Sequence, residues 1–273
     1  MNTAEAYCET TLNYATGDAS VPVDVVIHDG RSAIAELDYE QCGFTLLKHQ
    51  SQVQDWRDEA HLKAVHVPEI ADLARSFSGC DATLVYPPLV RSPETAASHA
   101  DYAPIESVHS DFTADYRPMI QEPDRAYRAF IDPLLEEAGL SRQQLVNADR
   151  VLMLQFWRNI GERFPDRPFA LCDASTMPES DLVSVTVPEY GGQKLEFEAY
   201  IGVQPENPAR QLWFTFPGLG IDEVIAFRTY DSLCEREGRP FWTPHSAFLD
   251  PNAPAGARPR ESLEMRVLCL FGV

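Results

Sequence analysis

His109-Ser110-Asp111 sets an imidazole and a carboxylate two residues apart. On an extended strand, residues i and i+2 point to one face, so the two side chains can grip a single ion. A third ligand must then come from a distant strand. His245, within Pro244-His245-Ser246-Ala247-Phe248, lies late in the chain, where a return strand would bring it back to the first pair. Two imidazoles and one carboxylate form a facial triad, which leaves positions open on iron(II) for oxygen and a chelating co-substrate. A second His-x-Asp, His99-Ala100-Asp101, lies in an Ala- and Ser-rich segment that reads as a loop or helix end. His109-Ser110-Asp111 instead runs straight into Phe112-Thr113, so the ligand expectation falls on His109, Asp111 and His245.

Behind His245, Pro259-Arg260-Glu261-Ser262 enters a closing apolar run. Arg260 and Ser262 share a strand face. A guanidinium donates two parallel charge-assisted hydrogen bonds and the hydroxyl adds a third donor, which suits the terminal carboxylate of a keto acid such as 2-oxoglutarate. Arg266 has the same parity and is the second choice for that carboxylate. Arg158, closing the run Val151 to Trp157, is expected to anchor an anionic group of a substrate, the alternative being pairing with Glu162 or Asp173 at the surface. Tyr116 and Trp213 are expected as aromatic walls of the substrate pocket, with core packing as the alternative. These residues favour an amino-acid-derived or carboxylate-bearing small molecule.

The surrounding pattern is mainly β with flanking helices. Val23 to Ile27, Phe44 to Leu47 and Ala82 to Tyr86 read as strands, and Pro68 to Phe77 as a helix with Pro at its start and Gly79 past its end. Leu89 to Ile120 is polar and punctuated, which predicts irregular loops around a site. Asp124 to Leu140 has helical composition that Pro133 should kink or split, and Ser141 with Gln144 makes a capping box. Beyond Val151 the strand-like runs are Val151 to Trp157, Leu182 to Val187, Leu195 to Val203, Leu212 to Phe216, Val224 to Phe227 and Leu263 to Phe271. Leu195, Phe197 and Ile201 alternate with Lys194, Glu196 and Glu198 on one face. This spacing predicts a double-stranded β-helix, a jelly-roll or cupin-like core. One domain over 1–273 is expected, with a mixed α/β lead-in to about residue 100, a metal-binding β core from about 105 and a helical insert near 122–150.

At 273 residues, 44% apolar and 23% charged, the chain has the size and composition of a folded globular protein. Its 42 acidic against 22 basic residues give a formal charge of -20, which repels nucleic-acid phosphates and anionic lipid. No basic start, apolar leader or membrane-length run is present, so neither export nor membrane insertion is expected. The six cysteines are scattered without a C-x-x-C pair. Buried free thiols in the reducing cytoplasm follow, a setting that also keeps iron ferrous. The expected partner is a small-molecule substrate, with no nucleic acid and no membrane, and a homodimer is open to it.

His-x-Asp, distal His and Arg-x-Ser in this order resemble the jelly-roll iron(II)/2-oxoglutarate oxygenases. Gly43-Phe44-Thr45-Leu46, Gln155-Phe156-Trp157-Arg158, Pro168 to Ala174, Tyr230-Asp231-Ser232 and the two C-terminal motifs narrow the resemblance to the hydroxylase/desaturase family of secondary metabolism. That family includes fungal tailoring oxygenases and the cephamycin methoxylation accessory protein. The likeness runs from about Gly30 to the end. It implies iron at His109, Asp111 and His245, 2-oxoglutarate at Arg260 and Ser262, and O2 as the oxidant. Hydroxylation, desaturation or oxidative cyclisation at a C–H bond in a biosynthetic pathway would be the reaction. Two other readings remain: a catalytically silent partner of a tailoring enzyme, and a cupin-type hydrolase or isomerase using another divalent ion at the same three residues.

Overall fold

The computed structural model describes residues 4–273. A hairpin of two long strands opens it, β1 (Ala6–Thr16) and β2 (Ala19–Asp29), turning at Gly17 with a φ of +60°. In chain order follow β3 (Phe44–Lys48), β4 (Ala82–Val85), β5 (Leu89–Arg91), β6 (His109–Ser110), β7 (Arg150–Asn159) and β8 (Phe169–Cys172). The rest are β9 (Leu182–Val187), β10 (Phe197–Gly202), β11 (Trp213–Thr215), β12 (Glu223–Asp231), β13 (His245–Ala247) and β14 (Ser262–Phe271). One sheet runs β1-β2-β11-β8-β13-β6-β10-β9; the other runs β3-β12-β7-β14-β4, with β5 also on β14. Their inner faces share a core: Val23, Val25 and Ile27 from the first pack with Met153, Leu268 and Leu270 from the second. This is a double-stranded β-helix.

One helix covers the back of the second sheet, and two others pack onto the inner core. The helix Val67–Ser78 has Pro68 in its first turn, where a missing N–H costs nothing, and ends at Gly79, whose φ of +70° is the left-handed cap geometry. It buries Ile70 and Ala74 against Leu154, Phe156, Leu263 and Met265. The helix Arg128–Glu137 keeps Pro133 inside it, and Ser141 caps Arg142–Asn147 through a reciprocal bond with Gln144. The predicted loop region, Leu89 to Ile120, holds the short strands β5 and β6 and also two six-residue helices, Pro93–Ser98 and Tyr116–Gln121.

Strand parity decides which side chains reach the interior. On β14 the even positions face inward, Ser262, Glu264 and Arg266 among them, while Leu263, Met265, Val267 and Cys269 face the helices. On β7, Leu152, Leu154 and Phe156 pack outward. Arg158 has their parity, and its guanidinium binds the carbonyls of His49 (3.3 Å) and Ile221 and the His49 ring (2.6 Å) under Trp56, on the far side of the sheet from the β-helix interior. The expected substrate anchor is therefore corrected: an even-numbered position on β7 cannot point into the barrel. Trp213 likewise has no exposure and packs in the core with Tyr14 instead of lining a cavity.

That outer layer contains a buried histidine with a consequence for stability. His66 is 1% exposed and touches Glu69 at 2.9 Å. Burial pushes its pKa down from 6.5 to about 4, against the pull of Glu69. The folded state thus prefers the neutral ring. Its contribution is complete above pH 6.5 and is lost as pH falls toward 4, about 3 kcal/mol in all. Urea unfolding at pH 7.5 and 4.5 should show a larger acid loss for the wild type than for His66→Gln; equal losses would refute this.

Candidate metal centre

β6 and β13 are antiparallel neighbours, and His245 is the register partner of His109. Their rings lie 4.2 Å apart between centroids. Asp111, just past β6, completes the cluster, and one ligand atom from each of the three residues falls within 4.8 Å of the others. The Nδ1 of His109 lies 2.8 Å from the Ser107 carbonyl, and that of His245 lies 2.9 Å from the Thr243 carbonyl. A carbonyl only accepts, so each Nδ1 carries the proton and each Nε2 keeps a lone pair. Those Nε2 atoms lie 3.8 and 3.6 Å from Asp111 Oδ1. Burial, with His245 beside it, pushes the His109 pKa down to about 3, so the ring is a neutral ligand at physiological pH. Burial alone would raise the Asp111 carboxyl; Arg266 and the two imidazoles outweigh it and hold the carboxyl well below its usual range. The donor set, neutral nitrogens and an ionised oxygen converging from one direction, fits a divalent first-row metal.

Gly43 supports this geometry from a distance. Its φ is +87°, and a Cβ there would sit 2.3 Å from Thr243 Oγ1. Only glycine lets the end of the short helix Tyr39–Cys42 pass so close to the residue whose carbonyl orients His245.

Opposite the imidazoles, the second sheet supplies charge. Arg266 donates from Nε to Asp111 Oδ2 at 2.9 Å, with Nη2 in ion-pair contact with the same oxygen at 2.9 Å, which leaves Oδ1 toward the histidines. Glu264 lies 3.5 Å from Arg266 and pairs on its other side with Arg91. Arg91, Glu264, Arg266 and Asp111 thus alternate in sign and balance. Arg260 is left over. Its guanidinium is buried, has no carboxylate partner among the described residues, reaches only the Arg167 carbonyl at 3.4 Å, and lies 5.5 Å from the Trp157 ring centre. Arg260 Nε and the Ser262 hydroxyl are both buried without a hydrogen-bond partner. Burial lowers the Arg260 pKa to about 10, leaving it a cation. An unpaired buried guanidinium beside an unpaired hydroxyl fits a carboxylate that enters from outside. Arg266, the second choice for that carboxylate, is already committed to Asp111 and Glu264.

A cavity of about 390 Å³ opens from His109 and Asp111. Phe112, Tyr127, Phe130, Leu195, Phe197 and Ile201 give it mostly apolar walls. The alternation at Leu195, Phe197 and Ile201 was legible as a buried face; its role as a cavity wall was not. Tyr116 stands behind the wall, its hydroxyl 2.8 Å from that of Tyr86 and its ring 4.3 Å from Phe112, so it supports the lining without facing substrate. His99 accepts from the Asp101 N–H at 3.3 Å and stays apart from the cluster of His109, Asp111 and His245, although Asp101 itself lines the cavity. Glu264, Arg91 and Tyr190 were missed. Glu264 was available from the β14 parity, whereas nothing local marks Arg91, whose place depends on β5 joining β14.

The hydroxylase/desaturase efuI of Hormonema carpetanum is 27% identical, covering 90% of this chain and 83% of its own. The Fe(II)/2-oxoglutarate-dependent dioxygenase nvfI of Aspergillus novofumigatus is 26% identical over 92% of this chain and 84% of its own. The alpha-ketoglutarate-dependent dioxygenase phiK of a fungal species is also 26% identical, covering 90% and 83%. In three dimensions the iron and alpha-ketoglutarate-dependent endoperoxidase NvfI superposes with a TM-score of 0.78 at 22% identity, covering 98% of this chain and 99% of that one. Fold, donor set and relatives together define an iron(II)- and 2-oxoglutarate-dependent dioxygenase. The chain belongs to the family described as oxidoreductase/YMDC permease-like domain, whose pattern matches residues 3–270. Among the described residues, no helix is long and apolar enough to cross a membrane.

Proposed function

We propose that His109, Asp111 and His245 hold iron(II), that Arg260 and Ser262 hold the far carboxylate of 2-oxoglutarate, and that the enzyme oxidises a C–H bond of a largely apolar small molecule. The unpaired Arg260 carries this reading. The buried charges near the metal balance without it, so the site lacks one anion, and a dicarboxylate chelating the metal supplies that anion at the right end. Once bound, the iron with 2-oxoglutarate and O2 supplies oxidising power, giving succinate and carbon dioxide as a substrate C–H bond is broken. The chain's own part is to bind and orient. The carbonyls of Ser107 and Thr243 aim the imidazoles, Arg266 holds the carboxylate, and the aromatic walls exclude water and fix which C–H bond faces the metal.

The substrate reading differs from the sequence expectation. Arg158, which suggested a carboxylate-bearing or amino-acid-derived substrate, lies behind the sheet, and the cavity walls favour a neutral apolar skeleton. Hydroxylation, desaturation and cyclisation all start from the same C–H cleavage. The residues assigned to the metal and the co-substrate all come from one chain, so this reading takes a single domain over 1–273 and calls on neither a homodimer nor a second protein. Buried free cysteines suit the cytoplasm, and the charge of -20 argues against nucleic acid as a partner.

Anaerobic addition of Fe(II) and 2-oxoglutarate to metal-free protein should produce the weak visible charge-transfer band of the chelate, and oxygen should then release succinate. A protein that binds both without the band, or gives no succinate, would overturn the reading.

A further inference from the structure

Arg266 stands where the metal ligands, the large cavity and the buried ion chain meet. It lines the 390 Å³ cavity together with His109 and Asp111. Its Nε and Nη2 both reach one oxygen of Asp111, at 2.9 Å. A carboxylate can bind a metal through one oxygen or two, and an ion-paired second oxygen is the direct way to enforce one. The imidazoles already have their orienting carbonyls at Ser107 and Thr243; Arg266 is the equivalent for the carboxylate. A guanidinium alone in a cavity wall would be free to swing toward an incoming anion. This one is not, because Glu264 holds it from behind at 3.5 Å and is itself paired with Arg91. Arg91 in turn binds the carbonyls of Asp101 (2.5 Å) and Ala103 (2.8 Å) and the Tyr190 hydroxyl (2.7 Å). Asp101 and Tyr190 belong to the cavity lining. The chain of charges is therefore anchored in the cavity wall at one end and grips the metal ligand at the other.

We propose that Arg266 is a positioning residue that holds Asp111 as a one-oxygen ligand, and that Glu264, fixed by Arg91, keeps Arg266 in place. The inference rests on the ligand assignment given above. It explains why the second arginine of the strand face is kept away from 2-oxoglutarate, since a residue that moved to bind the co-substrate would release the ligand. It also assigns work to Glu264, whose burial would otherwise raise its carboxyl and which Arg91 and Arg266 instead hold down.

The test is anaerobic Co(II) titration of metal-free protein, read by affinity and by the visible d–d spectrum. Arg266→Gln should weaken Co(II) binding by about 10- to 100-fold and alter the spectrum, because losing the outer partner of a ligand has effects of that size. Arg266→Lys, which can still reach one oxygen, should recover part of the affinity. Glu264→Gln should give a smaller loss than Arg266→Gln. Folding of each variant is checked by circular dichroism, and the lysine variant keeps the test usable if the glutamine variant does not fold. Wild-type Co(II) affinity and spectrum in folded Arg266→Gln would overturn the inference, even with lowered thermal stability, since a purely structural arginine would behave that way. His109→Ala separates the two claims. If it binds Co(II) as well as wild type, the ligand assignment has failed; if it loses Co(II) while Arg266→Gln does not, only the role of Arg266 has.

Discussion

Arg260→Met is expected to weaken 2-oxoglutarate binding by roughly 30- to 3,000-fold, equivalent to about 2–5 kcal/mol, while leaving Fe(II) binding within about threefold. The guanidinium has no carboxylate of its own among the described residues, and Ser262 beside it offers an unused hydroxyl. The co-substrate's carboxylate would thus meet a desolvated cation that no protein carboxylate neutralises, the arrangement in which a charge pair is strongest. The same reasoning gives an opposite effect on the free protein. An unpaired buried cation is costly, so methionine of similar length should raise stability by at least about 1 kcal/mol in denaturant unfolding without 2-oxoglutarate. Tighter folding with weaker co-substrate binding is a combination that a general folding defect cannot produce. If Arg260→Met binds 2-oxoglutarate normally and Arg266→Gln does not, the co-substrate sits at the other arginine.

The second large effect concerns the ligands. His109→Ala and His245→Ala should each abolish the charge-transfer band and lower succinate release by more than about 1,000-fold, taking loss of a metal ligand as loss of the catalytic centre. His99→Ala should leave both signals unchanged, because that ring sits outside the cluster. Asp111→Ala should do more than either imidazole variant. It removes the ligand and strips Arg266 of its nearer partner, which should cost about 3 kcal/mol of stability. Unfolding midpoints therefore rank Asp111→Ala below both histidine variants. The opposite ranking would mean that Arg266 finds another partner, and that the charge balance described for the site is wrong.

Much of this was readable from spacing. His109 with Asp111 and Arg260 with Ser262 are i, i+2 pairs, and a period of two carries from sequence into space without knowledge of the fold. His245 could be picked only by its late position, and the register beside His109 is what the structure adds. The helix over Val67–Ser78 was readable because Pro and Gly mark its ends. The failures share one cause. Arg158 needed the absolute phase of β7, and a run as apolar as Val-Leu-Met-Leu-Gln-Phe-Trp has none, because both faces of a central strand are buried. Trp213 and Tyr116 were aromatics in β-rich or loop sequence, where only the packing partners distinguish wall from core. The hairpin strand Ala6–Thr16 escaped notice because its polar residues, Glu9, Thr10, Thr11 and Asn13, mask an alternation that buries only Cys8, Leu12 and Tyr14. The alternating charges at Arg91, Glu264 and Arg266 are a tertiary fact: three residues from two strands whose adjacency no local pattern announces.

Most of the cavity wall comes from residues outside the candidate metal and carboxylate ligands, although His109, Asp111 and Arg266 also face it. Its lining comes largely from the stretches 86–89, 101–107, 127–130 and 187–201. The proposed ligands and carboxylate clamp come from β6 and the residue after it, from β13, and from the stretch that enters β14. Substrate choice can therefore change through the connections and the wall-facing positions Phe197, Ala199 and Ile201 of β10, with the candidate metal and carboxylate ligands left in place.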